Sequence, residues 1–176
     1  MNHINIEIKA KCSDQRRVRR VLLSCNADFK GTDHQIDTYF RIPAGRLKLR
    51  EGNIENYLVF YDRKNRKGPK KSEVTLVATG RGSEIKELLK NALGVLVVVD
   101  KRREIYFIGN IKFHLDEVKG LGKFVEIEAI DTGGIPEKKL RKQCDHYVKI
   151  LGIRKEEMVS VSYSDLLLKN FPIKNF

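Results

Sequence analysis

The chain has 176 residues, 41% hydrophobic and 33% charged, with a formal net charge of +12 and an isoelectric point near 9.7. That length fits one domain spanning 1–176 with a substantial core, and the charge favours anionic partners without choosing among nucleotides, polyphosphates, nucleic acids and acidic membranes. Three widely spaced cysteines, no C-x-x-C and no zinc-like histidine spacing argue against a disulfide framework or a zinc site. The first residues hold no apolar leader and no run reaches membrane-spanning length, so a cytoplasmic protein away from membranes is expected.

In chain order, 4–11 reads as a strand and 14–25 as a helix capped by Ser13, with Val18, Val21 and Leu22 as its apolar stripe. Strands follow at 36–42, 46–51 and 56–63, with turns at Pro43-Ala44-Gly45 and Gly52-Asn53. The basic segment 63–71 reads as a solvent-exposed hairpin tip, and 72–79 resumes as a strand. A second helix is expected from a Ser83 cap to Gly94, with Ile85, Leu88, Leu89 and Leu93 on one side. Strands at 95–100, 103–108, 111–118 and 124–130 precede a helix over 136–151 and a short one near 163–169. This order gives an α+β fold, and about eight two-faced strands with short turns suggest an antiparallel barrel or strongly curved sheet with flanking helices.

Several of these strands segregate their charge. Glu7, Lys9 and Lys11 alternate with Ile6, Ile8 and Ala10; Lys48 and Arg50 alternate with Leu47 and Leu49; Glu126 and Glu128 alternate with Val125, Ile127 and Ala129. Side chains alternate across a strand, so each segment carries one ionic and one apolar face. Glu7, Glu126 and Glu128, with Asp116, could hold a hard divalent cation, and Lys48 with Arg50 and Lys101 with Arg103 could grip phosphoryl oxygens. Solvated outer faces of exposed strands would show the same pattern. Lys11 or Lys112 is expected to be merely solvated, His114 reads as a satisfied strand histidine, and Tyr39, Phe40, Tyr57 and Phe60 read as core. GLGKF at 120–124 is no P-loop, because Glu117 stands where the earlier glycine belongs.

Together IEIKAK (6–11), DHQIDTYF (33–40), GRLKLREGN (45–53), VVVDKRREIYF (97–107), KFHLDEVKGLGKFVEIEAI (112–130) and SYSDLL (162–167) resemble the CYTH superfamily, the triphosphate tunnel metalloenzymes. The branch most resembled is that of class IV adenylate cyclases. The resemblance implies an antiparallel eight-stranded tunnel around a triphosphate, with Mg2+ or Mn2+ as cofactor. It implies metal binding by Glu7, Asp116, Glu126 and Glu128, and triphosphate binding by Lys9, Lys48, Arg50, Arg63, Lys101, Arg103 and Lys112. Of these, Glu7, Lys9, Arg50, Lys101 and Arg103 would serve catalysis. The family's E-x-E-x-K entry motif reads Asn5, Glu7, Lys9 here, so one carboxylate is missing. The implied activity is cyclisation of ATP to cyclic AMP and pyrophosphate. Hydrolysis of thiamine triphosphate, tripolyphosphate or a nucleotide is the alternative, and a non-catalytic polyanion-binding module a third reading. An enclosed triphosphate site disfavours nucleic acid, and the family is compatible with a homodimer.

Overall fold

The computed structural model describes residues 2–63, 65, 67–80, 82 and 84–170. Its strands are β1 (Asn2–Lys11), β2 (Asp28–Phe40), β3 (Arg46–Glu51), β4 (Tyr57–Asp62), β5 (Lys70–Ala78), β6 (Val95–Ile108), β7 (Ile111–Val118) and β8 (Gly122–Ile130). Its helices are α1 (Gln15–Ser24), α2 (Ile85–Leu93), α3 (Glu137–Ile150) and α4 (Tyr163–Asn170). The strands close into an antiparallel barrel in the order β1-β5-β4-β3-β2-β6-β7-β8. The eight-stranded barrel with flanking helices is the architecture expected from the sequence.

Two apolar cores divide the work. On the outside of β1, β7 and β8, Ile6, Ile8, Phe113, Leu115, Val125 and Ile127 pack with Val18 and Leu22 of α1 and Leu140 and Cys144 of α3. The helices thus cover the apolar faces of these strands, and alternation turns their charged faces into the barrel. The second core lies inside, at one end: Tyr39, Val59, Tyr61, Val99, Val118 and Phe124 pack with Tyr163, Leu166 and Leu167 of α4. Beyond that plug the interior is lined by the charged side chains together with an apolar patch that includes Val74, Leu76 and Ile130.

Five local expectations are corrected. Asp14, not Ser13, caps α1, accepting from the Arg17 backbone N–H at 3.0 Å. β2 begins at Asp28, eight residues before the expected start, because the polar stretch with Gly31 pairs with Lys101–Phe107 of β6 through a bulge. The same pairing makes β6 one continuous strand instead of two. Segment 63–71 is not simply an exposed tip: Arg63 is buried and pairs with Glu7, and Lys70 is buried with Nζ donating to the carbonyls of Val159 and Ser160. Phe60 faces outward and is 41% exposed, whereas Tyr39 and Phe40 are core. The Ser83 cap lies outside the described residues.

Candidate active site

The barrel encloses a cavity of about 1140 Å³ lined by both charge sets read from the sequence. Glu7, Lys9, Lys48, Arg50, Arg63, Lys101, Arg103, Lys112, Glu126 and Glu128 all reach it, and Asp116 does not. Register explains the assembly. Glu7 stands opposite Glu128, Lys9 opposite Glu126, and Lys112 and His114 of β7 stand opposite Glu128 and Glu126.

On one wall, ligand atoms of His114, Glu126 and Glu128 lie within 4.8 Å of one another. His114 Nδ1 is 3.3 Å from Glu126 Oε2 and 3.7 Å from Glu128 Oε1. Its buried Nε2 finds no hydrogen-bond partner among the described residues, so it is not the satisfied strand histidine expected. Burial, then the nearby Arg103, push its pKa down and keep the imidazole neutral. Burial would raise the Glu126 carboxyl, but Lys9 at 2.9 Å and Arg103 at 2.8 Å outweigh it and hold the group ionised, well below its ordinary value. A neutral imidazole beside two carboxylates is a donor set that fits a divalent cation, and the nitrogen favours Mn2+ over Mg2+.

Two of the expected metal ligands are otherwise engaged. Asp116 is fully buried: Oδ1 accepts from Arg103 Nε at 2.7 Å, and Oδ2 accepts from Arg103 Nη2 at 2.5 Å and the Tyr163 hydroxyl at 2.7 Å. This carboxylate fixes the Arg103 fork from behind the cavity wall. Glu7 lines the cavity next to Glu128, with its carboxylate drawn to Arg63.

Across the cavity the cations gather on Asp37, which sequence reasoning passed over. Its Oδ2 accepts from Lys101 Nζ at 2.6 Å and Lys48 Nζ at 2.8 Å, and its Oδ1 from Arg50 Nε at 2.9 Å. Burial opposes ionisation of Asp37, but Arg50, Lys101 and Lys48 win and hold it well below the usual carboxylate range. Lys101 is pushed to about 7 by burial; Asp37 pulls it up, and the neighbouring Arg50, Arg103 and Lys48 push it further down. The cluster therefore carries more positive charge than one carboxylate balances.

Glu55 is the second overlooked group. It bridges Arg50, at 2.9 Å, and Lys112, so Lys112 is not merely solvated. Asp33 sets the position of Glu55 by accepting the backbone N–H groups of Asn53, Ile54 and Glu55. The loop passes so close that a Cβ on Gly52 would lie 2.6 Å from Asp33 Oδ2.

The CYTH domain family matches residues 3–163, and the chain belongs to that family. A Methanocaldococcus jannaschii protein named "Putative adenylate cyclase" is 27% identical over 93% of this chain and 98% of its own length. Among solved structures, the PH1012 protein of Pyrococcus horikoshii is 26% identical and covers 92% of this chain and 98% of its own, with a TM-score of 0.78. A Hippeastrum protein described as a "Putative adenylyl cyclase" with a dominant triphosphatase activity shares the fold at 15% identity and a TM-score of 0.64, covering 99% of this chain and 100% of its own. Among the described residues no helix is long and apolar enough to cross a membrane.

Proposed function

We propose that this chain is a divalent-metal-dependent enzyme that cyclises ATP to cyclic AMP and pyrophosphate inside the barrel. The observation that carries the reading is one cavity with a His114–Glu126–Glu128 group on one wall, Lys48, Arg50 and Lys101 gathered on another, and Arg103 beside Glu126. A triphosphate is the ligand that needs both: a cation to neutralise part of its charge and several donors along its length. His114, Glu126 and Glu128, with Glu7 beside them, would hold Mn2+ or Mg2+, which would neutralise part of the triphosphate charge and lower the pKa of a bound hydroxyl.

The chain's own side chains supply the positioning. Arg50, Lys48 and Lys101 release part of their hold on Asp37 to grip phosphoryl oxygens, while Arg103, aimed by Asp116, and Lys9 approach from the β6 and β1 sides. These donors, already fixed by their carboxylate partners, favour charge building on the leaving pyrophosphate. The ribose 3′ oxygen forms the new bond to the α-phosphorus as the bond to the bridging oxygen of the β-phosphate breaks. The 3′ hydroxyl proton passes to solvent water, and pyrophosphate carries away the electron pair of the broken bond. Hydrolysis, with water attacking the terminal phosphoryl group, is the second reading; the Hippeastrum protein of this fold is described with that activity.

The test incubates purified protein with ATP, thiamine triphosphate or tripolyphosphate, with and without Mn2+ or Mg2+, and separates the products. Metal-dependent cyclic AMP is expected. Orthophosphate alone favours the hydrolytic reading, and no product from any of the three contradicts both.

Two further outcomes follow from the site. Because Lys101 sits near 7 in the free protein and a bound polyanion raises it, triphosphate binding at pH 8 takes up protons. Affinity then falls as pH climbs from about 7 toward the pKa of the complex. Calorimetry in buffers of different ionisation heat should give a net proton uptake, and none at all would contradict the Lys101 contact. Asn5→Glu adds a carboxylate one inward position from Glu7, and Mn2+ binding should tighten by about tenfold through the added ligand charge. Unchanged or weaker Mn2+ binding in a titration would contradict placing Asn5 beside the metal group.

A further inference from the structure

Asn5 on β1 and Ser72 on β5 are cross-strand partners, and both line the cavity. Asn5 is 5% exposed and Ser72 1%. The Asn5 side-chain carbonyl oxygen and the Ser72 hydroxyl are buried and find no hydrogen-bond partner among the described residues. Buried polar atoms normally have partners, because leaving them unpaired forfeits their hydration for nothing. Here two lie side by side, two residues along β1 from Glu7 and opposite Ile130, the neighbour by alternation of Glu128.

Their chemistry narrows what could satisfy them. Neither carries charge, so the pair can neither balance a cation as Glu126 and Glu128 can nor grip a phosphate as Arg50 can. The Asn5 carbonyl only accepts, which demands a donor from the ligand; the Ser72 hydroxyl both donates and accepts. Val74 and Leu76 continue the same face of β5, and with Ile130 and Tyr57 they give this part of the cavity an apolar wall. Uncharged hydroxyls attached to an apolar ring system describe a ribose and its base, and inorganic tripolyphosphate has neither.

We infer that Asn5 and Ser72 form the ribose-hydroxyl subsite of the tunnel and select nucleoside triphosphates over inorganic polyphosphates. This rests on the reading that the cavity takes triphosphates. It places the sugar beside the carboxylate wall, with the phosphate chain running toward Lys48, Arg50, Lys101 and Arg103.

The test measures binding by calorimetry, with Mn2+, of α,β-methylene-ATP, its 2′,3′-dideoxy counterpart and tripolyphosphate. The methylene bridge blocks loss of pyrophosphate, so the readout is binding alone. Wild-type protein should bind the hydroxylated nucleotide about tenfold tighter than the dideoxy one, the scale of a well-made hydrogen bond. In Asn5→Ala and in Ser72→Ala that ratio should shrink to about twofold or less, since ligand and side-chain deletions that remove the same contact are not additive. Thermal melts check folding, which removal of an unpaired polar atom should not harm. Equal wild-type binding of the two nucleotides, or variants that weaken all three ligands alike, would overturn the subsite and leave the triphosphate reading standing. If the wild type binds none of the three, that underlying reading fails and takes the subsite with it.

Discussion

Glu128→Gln lowers metal-dependent turnover of ATP by roughly 10²-fold or more, the loss typical when a group stabilising transition-state charge is removed. The substitution keeps shape and hydrogen-bonding capacity but deletes one of the two charges that converge with His114. Its effect on folding should be small, because the only group at ion-pair distance from Glu128 among the described residues is the neutral His114, at 3.7 Å. Glu126→Gln should cut activity at least as far. It also strips an anion from Lys9 and Arg103, so its melting temperature should fall where that of Glu128→Gln holds. The pair of variants thus separates chemistry from stability. Steady-state rates across a Mn2+ titration, alongside thermal melts, provide the check; full activity in both variants would remove the metal assignment.

Asp37→Asn should be the most destabilising single change in the tunnel. Lys48, Arg50 and Lys101 all converge on this carboxylate, and the Lys101 and Asp37 side chains are almost wholly buried. Removing one member of a buried ion pair leaves the other charge uncompensated and costs about 3–5 kcal/mol. For a chain of this size that corresponds to a melting temperature lower by about 10 °C. Millimolar tripolyphosphate should recover part of the loss, since an anion that binds only the folded cavity stabilises by mass action and takes the place Asp37 held. A melt unchanged by the substitution would contradict Asp37 as the hub. A lowered melt that tripolyphosphate leaves unmoved would contradict the use of these cations for phosphate.

What the sequence disclosed and what it hid follow the same physical line. β1, β3, β7 and β8 are legible because their alternation is strict, and a strand with one ionic face has one orientation in a closed barrel with helices outside. The ionic face turned inward, which alternation alone could not say, because an exposed strand shows the same period. β2 was half hidden: Asp28–Gln35 is polar and interrupted at Gly31, and it becomes a strand only through its partner β6. Asp37 was passed over because one acid beside Tyr39 looks incidental until β3 and β6 bring Lys48, Arg50 and Lys101 to it from either side.

His114 carried a readable signal. In KFHLDEV it shares a face with Lys112 and Asp116, and β7 pairs that face with Glu126 and Glu128. Asp116 shows the opposite case, since its separation from the cavity depends on Tyr163, 47 residues away on α4. Glu55 depends on a loop held from Asp33, a contact that no local pattern announces.

The central claim is that a divalent cation on His114, Glu126 and Glu128 and the phosphates held by Lys48, Arg50, Lys101 and Arg103 occupy one cavity together. The most direct measurement is phosphorus-31 relaxation of bound tripolyphosphate in the presence of Mn2+. The account predicts strong paramagnetic broadening in the wild type that disappears in Glu126→Gln and Glu128→Gln. Bound tripolyphosphate whose phosphorus signals ignore Mn2+, or broadening that survives in both variants, would contradict it.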